Sequence, residues 1–185
     1  EQLQLAGERL EAMRQFFTAQ FAKPLPTLEL PTDFTRPAQK SFAGKRLDFL
    51  LPKAQTTEVM AFCRHHECSL FVFFLSLVNT FLFRLSNQTD IIVGSPVANR
   101  PHPDLAPVIG CFFNVVPIRS QFDKTDTFLS LLLQTHHIFT QTLDHALYPF
   151  DYLLRDLELP TSNNQTPLFD VMVDVRQENR PPVAP

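Results

Sequence analysis

The sequence of 185 residues contains no tryptophan, two tyrosines, three cysteines and only four glycines. With so little glycine, few phosphate-cradling loops can form, and neither a Walker motif nor a dinucleotide-binding fingerprint is present. Three cysteines are an odd number for a disulfide framework, so we expect reduced thiols and a cytoplasmic location. These absences argue against nucleotide-binding folds of those two types and against a small disulfide-stapled domain.

Charge and hydropathy exclude two further classes of partner. The formal net charge is -3 and the isoelectric point is about 6.1, which argues against a nucleic-acid binder that relies on a basic surface. Residues 1–7 have no basic region before an apolar run, so they do not form a signal peptide. The longest apolar stretch, residues 70–83, spans about 14 residues, which is too short for a bilayer. We therefore expect a buried core helix there and no membrane partner.

What the sequence does contain is apolar residues, which make up 44% of it, including 19 phenylalanines. This is enough to build the core of one α/β domain. Helical spacing predicts helices over residues 1–21, from a cap at Thr56 or Thr57, from Ser69 to Asn87, over residues 126–145 and over residues 149–157. Alternation and apolar runs predict strands over residues 45–51, 90–93, 111–118 and 168–176.

Histidines and cysteines are the first candidates for chemistry. Cys63, His65, His66 and Cys68 resemble a zinc cluster in composition. All four lie on about one helical turn and its exit, so their side chains point in different directions and we predict no metal site. His136 falls on a predicted apolar stripe, which favours a core or tunnel-lining role over catalysis. The other members of that stripe are Leu129, Leu132, Phe139 and Leu143.

Five segments, in order, carry a family resemblance. They are Leu30-Pro31-Thr32-Asp33 with Arg36-Pro37, the run from Asp90 to Arg100, the run from Ile109 to Arg119, His145 with Tyr148-Pro149-Phe150-Asp151, and the run from Pro167 to Met172. These segments resemble the LPTDxxRP, DIVVGTPVANR, IGxFVNTxxxR, HQDYPFE and NPLFQVMF segments of condensation domains in nonribosomal peptide synthetases. The resemblance covers residues 10 to 177.

The resemblance implies an α/β fold like that of chloramphenicol acetyltransferase, with two lobes in a V and a tunnel between them. This sequence resembles the C-terminal lobe, a mixed sheet flanked by helices. Residues 1–37 correspond to a helix and Pro-rich connector from the N-terminal lobe, residues 38–177 to the C-terminal lobe, and residues 178–185 to an extended tail. The family's His-His-x-x-x-Asp-Gly motif is absent, because the His65-His66 and His136-His137 pairs lack its Asp and Gly.

The activity implied by the resemblance is amide formation between a carrier-bound acyl or peptidyl donor and a carrier-bound aminoacyl acceptor. The catalytic histidine belongs to the N-terminal lobe, so we expect the isolated chain to be inactive. No cofactor is expected to bind directly, since the phosphopantetheine arms belong to the partner carrier domains. The other implied partners are the N-terminal lobe and an adenylation domain. Two alternatives remain: a related epimerisation, cyclisation or ester-forming domain, and a non-catalytic carrier-binding module.

The resemblance also assigns residues to roles. Arg100 is expected to support catalysis by facing the Asp of the absent motif, the alternative being a surface arginine. Ser95 and Asn114 are expected to line the tunnel, although Asn114 could instead cap a bend inside the sheet. The remaining motif residues are expected to be structural: Asp90, Gly94, Gly110, Arg119, His145, Pro149, Phe150 and Pro167.

Overall fold

A computed structural model describes residues 7–39, 41, 43–100, 102–159 and 166–176. Both predicted ends, residues 1–6 and the tail 178–185, therefore lie outside the described residues. The helices are α1 (Glu8–Gln20), α2 (Lys53–His65), α3 (Leu70–Ser86), α4 (Phe128–Asp144) and α5 (Phe150–Asp156), with a short 3₁₀ turn at Pro103–Leu105. The strands are β1 (Asp90–Val97) and β2 (Asn114–Gln121).

The sheet of the described residues has two antiparallel strands, and one isolated parallel bridge lies beside it. Strands β1 and β2 run antiparallel, with a register that starts at the pair Asp90–Gln121 and ends at Val97–Asn114. On the other side of β1, residues 168–176, here called the outer segment, add a parallel bridge between Gly94 and Met172. The N–H of Gly94 donates to Val171 O, and the N–H of Val173 donates to Gly94 O, each over 2.9 Å.

Two hydrophobic clusters cover opposite faces of this sheet. Neighbouring β1 residues enter different clusters because strand side chains alternate between faces, so Ile92 packs with α1 and α5 while Ile91 packs with α3 and α4. The first cluster consists of Met13, Phe17, Phe21, Ile92, Tyr148, Leu153, Leu157 and Phe169. The second consists of Leu75, Leu82, Ile91, Val93, Ile118, Phe122, Leu131 and Val173. This arrangement confirms the predicted α/β class with helices flanking the sheet.

The bounds of α3 follow from local chemistry. The Ser69 hydroxyl accepts a hydrogen bond from Val72 N over 3.1 Å, which caps the helix start as predicted. Asn87 ends the helix in the left-handed region, with φ 55°. Among the described residues, no single helix is long and apolar enough to cross a bilayer. The α2 and α3 helices meet both criteria only when taken together, and the pair is bent by 105° at the break between them.

The predicted start of α2 is wrong. The helix begins at Lys53 after Pro52, and no side chain caps it. Thr56 and Thr57 lie inside the first turns, where their hydroxyls donate to the carbonyls of Pro52 and Lys53. Pro52 takes the N-cap position with φ -55° and ψ 145°, a non-helical backbone that is normal for an N-cap, and good helix formers follow it from Lys53.

The apolar stripe predicted for α4 is also displaced. Leu129 and Leu143 are exposed, whereas Thr135 and Thr142 are buried beside Leu132. The Thr142 hydroxyl is satisfied inside its own helix by donating to Ile138 O over 2.8 Å, so threonine can take a core position. A prediction from hydropathy alone assigns threonine to the exposed face of the helix, and for that reason it misplaces the buried stripe of α4.

All four strand predictions need correction, and the strand predicted over residues 168–176 is reduced to the single bridge at Met172. Strand β2 begins at Asn114 rather than at residue 111, because residues 110–113 belong to a loop bound to Arg100. Residues 45–51 form no strand, and among the described residues the sheet consists of β1 and β2 alone. Strand β1, in contrast, continues past the predicted end to Val97.

Gly94 is a position that only glycine suits. A Cβ placed there would lie 2.3 Å from Cε2 of Phe169, so the ring and the strand backbone approach closely only because residue 94 has no side chain. We expect Gly94→Ala to lower the free energy of unfolding by about 1–3 kcal/mol, because the ring or the outer segment must move. Urea unfolding of the chain measures this. Gly44→Ala is the matched control, because no atom lies within 4 Å of its added Cβ, and an equal loss in both variants would contradict the account.

Candidate functional site

Arg100 follows the end of β1 and turns its guanidinium onto the loop that leads to β2. It donates to the carbonyl oxygens of Leu105, Val108 (3.0 Å) and Gly110 (3.2 Å). Its guanidinium carbon lies 4.3 Å from the centre of the Phe112 ring, a cation–π contact. Arg100 therefore shapes this loop within the chain. The expected contact with an Asp of another lobe stays a prediction.

The loop that Arg100 binds presents apolar side chains outward. Val108, Ile109 and Phe113 are exposed, and Ile109 is fully so. Gly110 lies close to Phe112, since a Cβ there would be 3.0 Å from the ring. Phe112 was not among the predicted site residues. Its place in the same motif is the one sequence feature that points to it, and the motif does not predict a contact with a guanidinium.

Ser95 is buried, at 1% exposure, contrary to the expectation that it lines a tunnel. The reason is the alternation of β1: Ser95 shares its side of the strand with Ile91 and Val93, which face the core formed with α3 and α4. Its hydroxyl is therefore inside the lobe and does not reach an open surface.

Asn114 forms the joint between β2 and the α4–α5 connection. Its amide nitrogen donates to Ala146 O over 2.8 Å and to Tyr148 O over 2.7 Å. Its oxygen accepts from the N–H of Phe150, the first residue of α5, over 3.2 Å. Asn114 thus supplies a helix cap from a distant strand, which is closer to the alternative of a capped bend than to a tunnel role.

Arg119 and Asp90 form the most connected polar group of the described chain. The guanidinium binds the Asp90 carboxylate in a bidentate manner, with Nε–Oδ1 2.9 Å and Nη2–Oδ2 2.6 Å. Its other N–H groups donate to the carbonyls of Gln20, Ala22 and Pro24, each over 3.1 Å. All five guanidinium donors are used, so Arg119 ties the sheet to the end of α1 and to the connector.

The carboxylate of Asp90 is held in its charged form. Partial burial by itself raises the pKa of Asp90, but hydrogen bonds from Arg119 and Gln121 and the guanidinium charge outweigh this and hold the pKa below its ordinary value of 3.8. Gln121 contributes through its amide nitrogen, 3.1 Å from Oδ2.

The remaining motif residues pack the joints around α5. The His145 ring stacks on Phe16 at 3.9 Å between ring centres, and its Nδ1 lies 2.8 Å from Gln141 O. Pro149 precedes the first residue of α5, and the Phe150 ring lies 5.5 Å from that of Phe169. Within the described chain these side chains pack against neighbouring elements, and their structural role stays a prediction.

A tyrosine contact in the same region was not expected from the sequence. The Tyr148 hydroxyl donates to Asp156, which also forms an ion pair with Arg14 of α1 over 3.3 Å. Burial, and then the Asp156 carboxylate, raises the pKa of Tyr148 well above its ordinary value. The phenol therefore stays protonated and acts as a hydrogen-bond donor that connects α1 with α5.

Two hollows flank the Asp90–Arg119 pair. One, of about 490 Å³, is lined by residues 23–28, Asp90, Ile92, Leu159 and residues 166–170, including Pro167. The other, of about 820 Å³, lies between the end of α1, the sheet and α4, and its lining includes Gln134, His137 and Gln141. Among the described residues that line the two hollows, no nucleophile is paired with a base.

The cysteine–histidine cluster does not assemble. Burial, and then the neighbouring Cys68, raises the pKa of Cys63 to about 11, which keeps the thiol protonated and makes it a poor metal ligand at neutral pH. Within the described ranges no three His, Cys, Asp or Glu side chains converge on a point where a metal ion could bind. The prediction of no metal remains open to elemental analysis.

Comparison with known proteins identifies the fold's relatives. A family model described as the condensation domain matches residues 1–180. The chain belongs to the condensation-domain family.

Gramicidin S synthase 2 of Brevibacillus brevis, one of its peptide synthetase relatives, is 32% identical over 176 residues, or 95% of this chain. A plipastatin synthase polypeptide of Bacillus subtilis (strain 168) is 36% identical over 166 residues, or 90% of this chain. The alignments cover 4% and 6% of these two relatives, so the chain spans a small part of the curated proteins it matches.

Two solved structures share the fold of this condensation-domain chain. A four-domain nonribosomal peptide synthetase, holo-AB3403 bound to AMP and glycine, aligns with a TM-score of 0.86 at 21% identity, covering 93% of this chain and 13% of that one. The X-domain in complex with OxyB from teicoplanin biosynthesis aligns with a TM-score of 0.86 at 22% identity, covering 94% of this chain and 38% of that one.

Replacing Arg119 by lysine tests its role in this condensation-domain chain. Lysine keeps the charge but offers three donors from one nitrogen, so it cannot bind Asp90 and three carbonyls together. We expect Arg119→Lys to lower the free energy of unfolding by about 1–3 kcal/mol, measured by urea unfolding. Arg155→Lys, in an exposed i,i+4 pair with Asp151, should change it by less than about 0.5 kcal/mol. Equal losses of stability in the two variants would contradict this role of Arg119.

The depressed pKa of Asp90 predicts acid sensitivity. Because the folded-state pKa is below the unfolded value, the contribution is fully present above pH of about 4 and disappears as the pH falls through the folded pKa. Unfolding free energy measured between pH of about 6 and 2 should therefore fall less steeply in Asp90→Asn than in the wild type. Identical slopes would show that Asp90 carries no such linkage.

Proposed function

We propose that this chain is the C-terminal lobe of a condensation domain that forms amide bonds in a nonribosomal peptide synthetase or a hybrid polyketide–peptide line. The observation that carries the proposal is the family match over residues 1–180, in a chain whose relatives are peptide synthetases. In this assignment residues 1–37 are the helix and connector from the other lobe, residues 38–177 are the C-terminal lobe, and residues 178–185 are a tail.

The proposed reaction joins two thioester-bound substrates. The acceptor amine attacks the donor's thioester carbonyl, a C–N bond forms, the C–S bond breaks, and the amine loses a proton while the donor thiol leaves. The histidine that handles or positions that amine belongs to the N-terminal lobe in this proposal. The phosphopantetheine arms are held by donor and acceptor carrier domains and supply the thioesters; an adenylation domain loads the acceptor. The lobe described here contributes one wall, which holds the reactants together and excludes water.

Within this wall, Arg100 is the residue proposed to matter most. Its three carbonyl contacts and the Phe112 ring hold the guanidinium at the end of β1, next to an exposed apolar loop. A fixed cation at this position can donate a charge-assisted hydrogen bond to a carboxylate of the opposite lobe. Arg100 is therefore a positioning residue, acting through the loop that carries the catalytic histidine.

The second candidate is a partner-binding module without chemistry of its own. The observation that favours it is the likeness in fold to the X-domain, which was solved as a complex with OxyB. Arg100 also donates three hydrogen bonds within its own loop, which is compatible with a purely structural role. Related domains that epimerise, cyclise or form esters would share the same lobe, and only the product distinguishes them.

The test uses the parent protein with its upstream lobe, supplied with one acyl-loaded and one aminoacyl-loaded carrier. Wild-type protein should give an amide product, detected by mass spectrometry, and the 185-residue chain alone should give none. In the parent, Arg100→Ala should lower the rate by more than about tenfold, since a charge-assisted contact is worth about 1.5–3 kcal/mol. The midpoint of urea unfolding, measured for the parent protein with Arg100→Ala, separates a loss of reaction rate from a loss of folding stability.

Phe112→Leu is the matched control, because it removes the ring under the guanidinium and keeps the charge. A much smaller loss than in Arg100→Ala supports the positioning role. Equal losses in the two variants would mean that Arg100 only shapes its loop. A parent protein that binds both carriers and yields no amide would favour the partner-binding module.

A further inference from the structure

Helix α2 ends in a turn that brings two cysteines together. His66 follows the last residue of the helix, and Glu67 takes a left-handed backbone conformation, with φ 49°. The N–H of Glu67 donates to Arg64 O over 3.3 Å. The N–H of Cys68 donates to Cys63 O over 3.0 Å. These two hydrogen bonds form a Schellman motif, whose last residue frequently contacts the third residue from the helix end, and here both positions are cysteines.

The backbone hydrogen bond between the two cysteines limits how far apart they lie. With 3.0 Å between Cys68 N and Cys63 O, the two Cα atoms are at most about 7 Å apart. A disulfide usually joins Cα atoms that are about 4.4–6.8 Å apart, so the turn holds the pair within or close to this range. Both thiols are free. Burial raises the pKa of Cys63 most, and Cys68 raises it further through its charge and a hydrogen bond, so the two side chains interact.

The two thiols differ in their access to solvent. Cys63 is buried, at 5% exposure, whereas Cys68 is half-buried. A small oxidant in solution therefore reaches Cys68 first. Cys63 lies behind it as a second thiol that can attack the product of that first reaction. A reachable thiol beside a second, resolving thiol is the arrangement from which disulfides form.

We propose that the turn between α2 and α3 is an oxidation site, at which Cys63 and Cys68 form a reversible disulfide by reaction with a low-molecular-weight disulfide. The Cys68 sulfur loses its proton and attacks one sulfur of the oxidant, whose S–S bond breaks so that one thiol leaves. The Cys63 sulfur then loses its proton, attacks Cys68 Sγ and releases the second thiol. Two electrons pass from the cysteines to the oxidant. This site stands independently of the reaction proposed above.

The disulfide would restrict α2, which is attached to the rest of the chain by few contacts. Cys63 is the only buried residue of α2, and the Phe62 ring adds contacts with Phe73 and Phe128. Cys68 directly precedes Ser69, the residue that caps α3. A link between Cys63 and Cys68 therefore joins the end of α2 to the start of a core helix.

Peptide mapping tests the proposal in the parent protein. The protein is incubated with oxidised glutathione, its remaining thiols are alkylated, and it is digested with trypsin without reduction. Trypsin cleaves after Lys53, Arg64 and Arg84, so the disulfide should appear as residues 54–64 linked to residues 65–84. The linked pair should be about 2 Da lighter than the two peptides together, since each thiol loses one hydrogen, and dithiothreitol should separate them.

The same map contains the outcomes that would overturn the proposal. The exposed Cys111 serves as an internal control and should carry a glutathione adduct. A stable glutathione adduct on Cys68 with Cys63 still alkylated would overturn the proposal. A disulfide that joins either of these cysteines to Cys111 would also overturn it.

Two serine variants of the parent test the order of attack. Cys63→Ser should stop at a glutathione adduct on Cys68, because the resolving thiol is gone. Cys68→Ser should leave Cys63 reduced, because Cys63 is buried. Glutathione addition to Cys63 in Cys68→Ser as fast as to Cys111 would contradict the assigned order.

A comparison with the unfolded chain separates the turn from mere nearness in sequence. The equilibrium constant for forming the disulfide with glutathione should be at least about tenfold larger in the native wild-type parent than in concentrated urea. Equal constants would mean that the turn does not build the site. Oxidation should also slow amide exchange in α2 by at least about threefold, and unchanged exchange would show that the disulfide does not restrict this helix.

Discussion

The Arg119 guanidinium connects parts of the chain that are far apart in sequence. It binds Asp90 across the two-stranded ladder and the carbonyls of Gln20, Ala22 and Pro24 at the end of α1. Its side chain is only 11% exposed, so a guanidinium that lost these acceptors would be a poorly solvated charge. The core formed by α1 on one face of the sheet depends on this contact, because it fixes where the helix ends and the connector begins.

A second set of polar contacts holds α1 and α5 along their length. Tyr148 donates to Asp156, which also binds Arg14, and His145 stacks on Phe16. Asn114 adds the cap of α5 from the far end of the ladder. The apolar cluster beneath is therefore closed at its rim by side chains whose hydrogen bonds are satisfied, which is what a buried polar group requires.

The two ends of the β1–β2 ladder have different characters. The end at Asp90 and Gln121 is closed by the Arg119 contacts. The end at Val97 leads into the Arg100 loop, which is ordered by its own cation and exposes apolar side chains. The wall that we propose for this lobe would therefore be supported at the Asp90 end of the ladder and would meet its partners at the Arg100 end.

The sequence by itself determined the family, the α/β class and most element positions, because these depend on local periodicity, on caps such as Ser69 and on motifs in fixed order. It did not determine the partners of individual side chains. Asn114 binds Ala146, 32 positions away, and Arg119 binds Gln20, 99 positions away. Residues 45–51 carry a strand pattern but form no strand in the described chain, and Ser95 turned inward with the alternation of β1. Such outcomes are decided only by tertiary packing, since a hydrogen bond or a ladder needs a partner that local sequence does not specify.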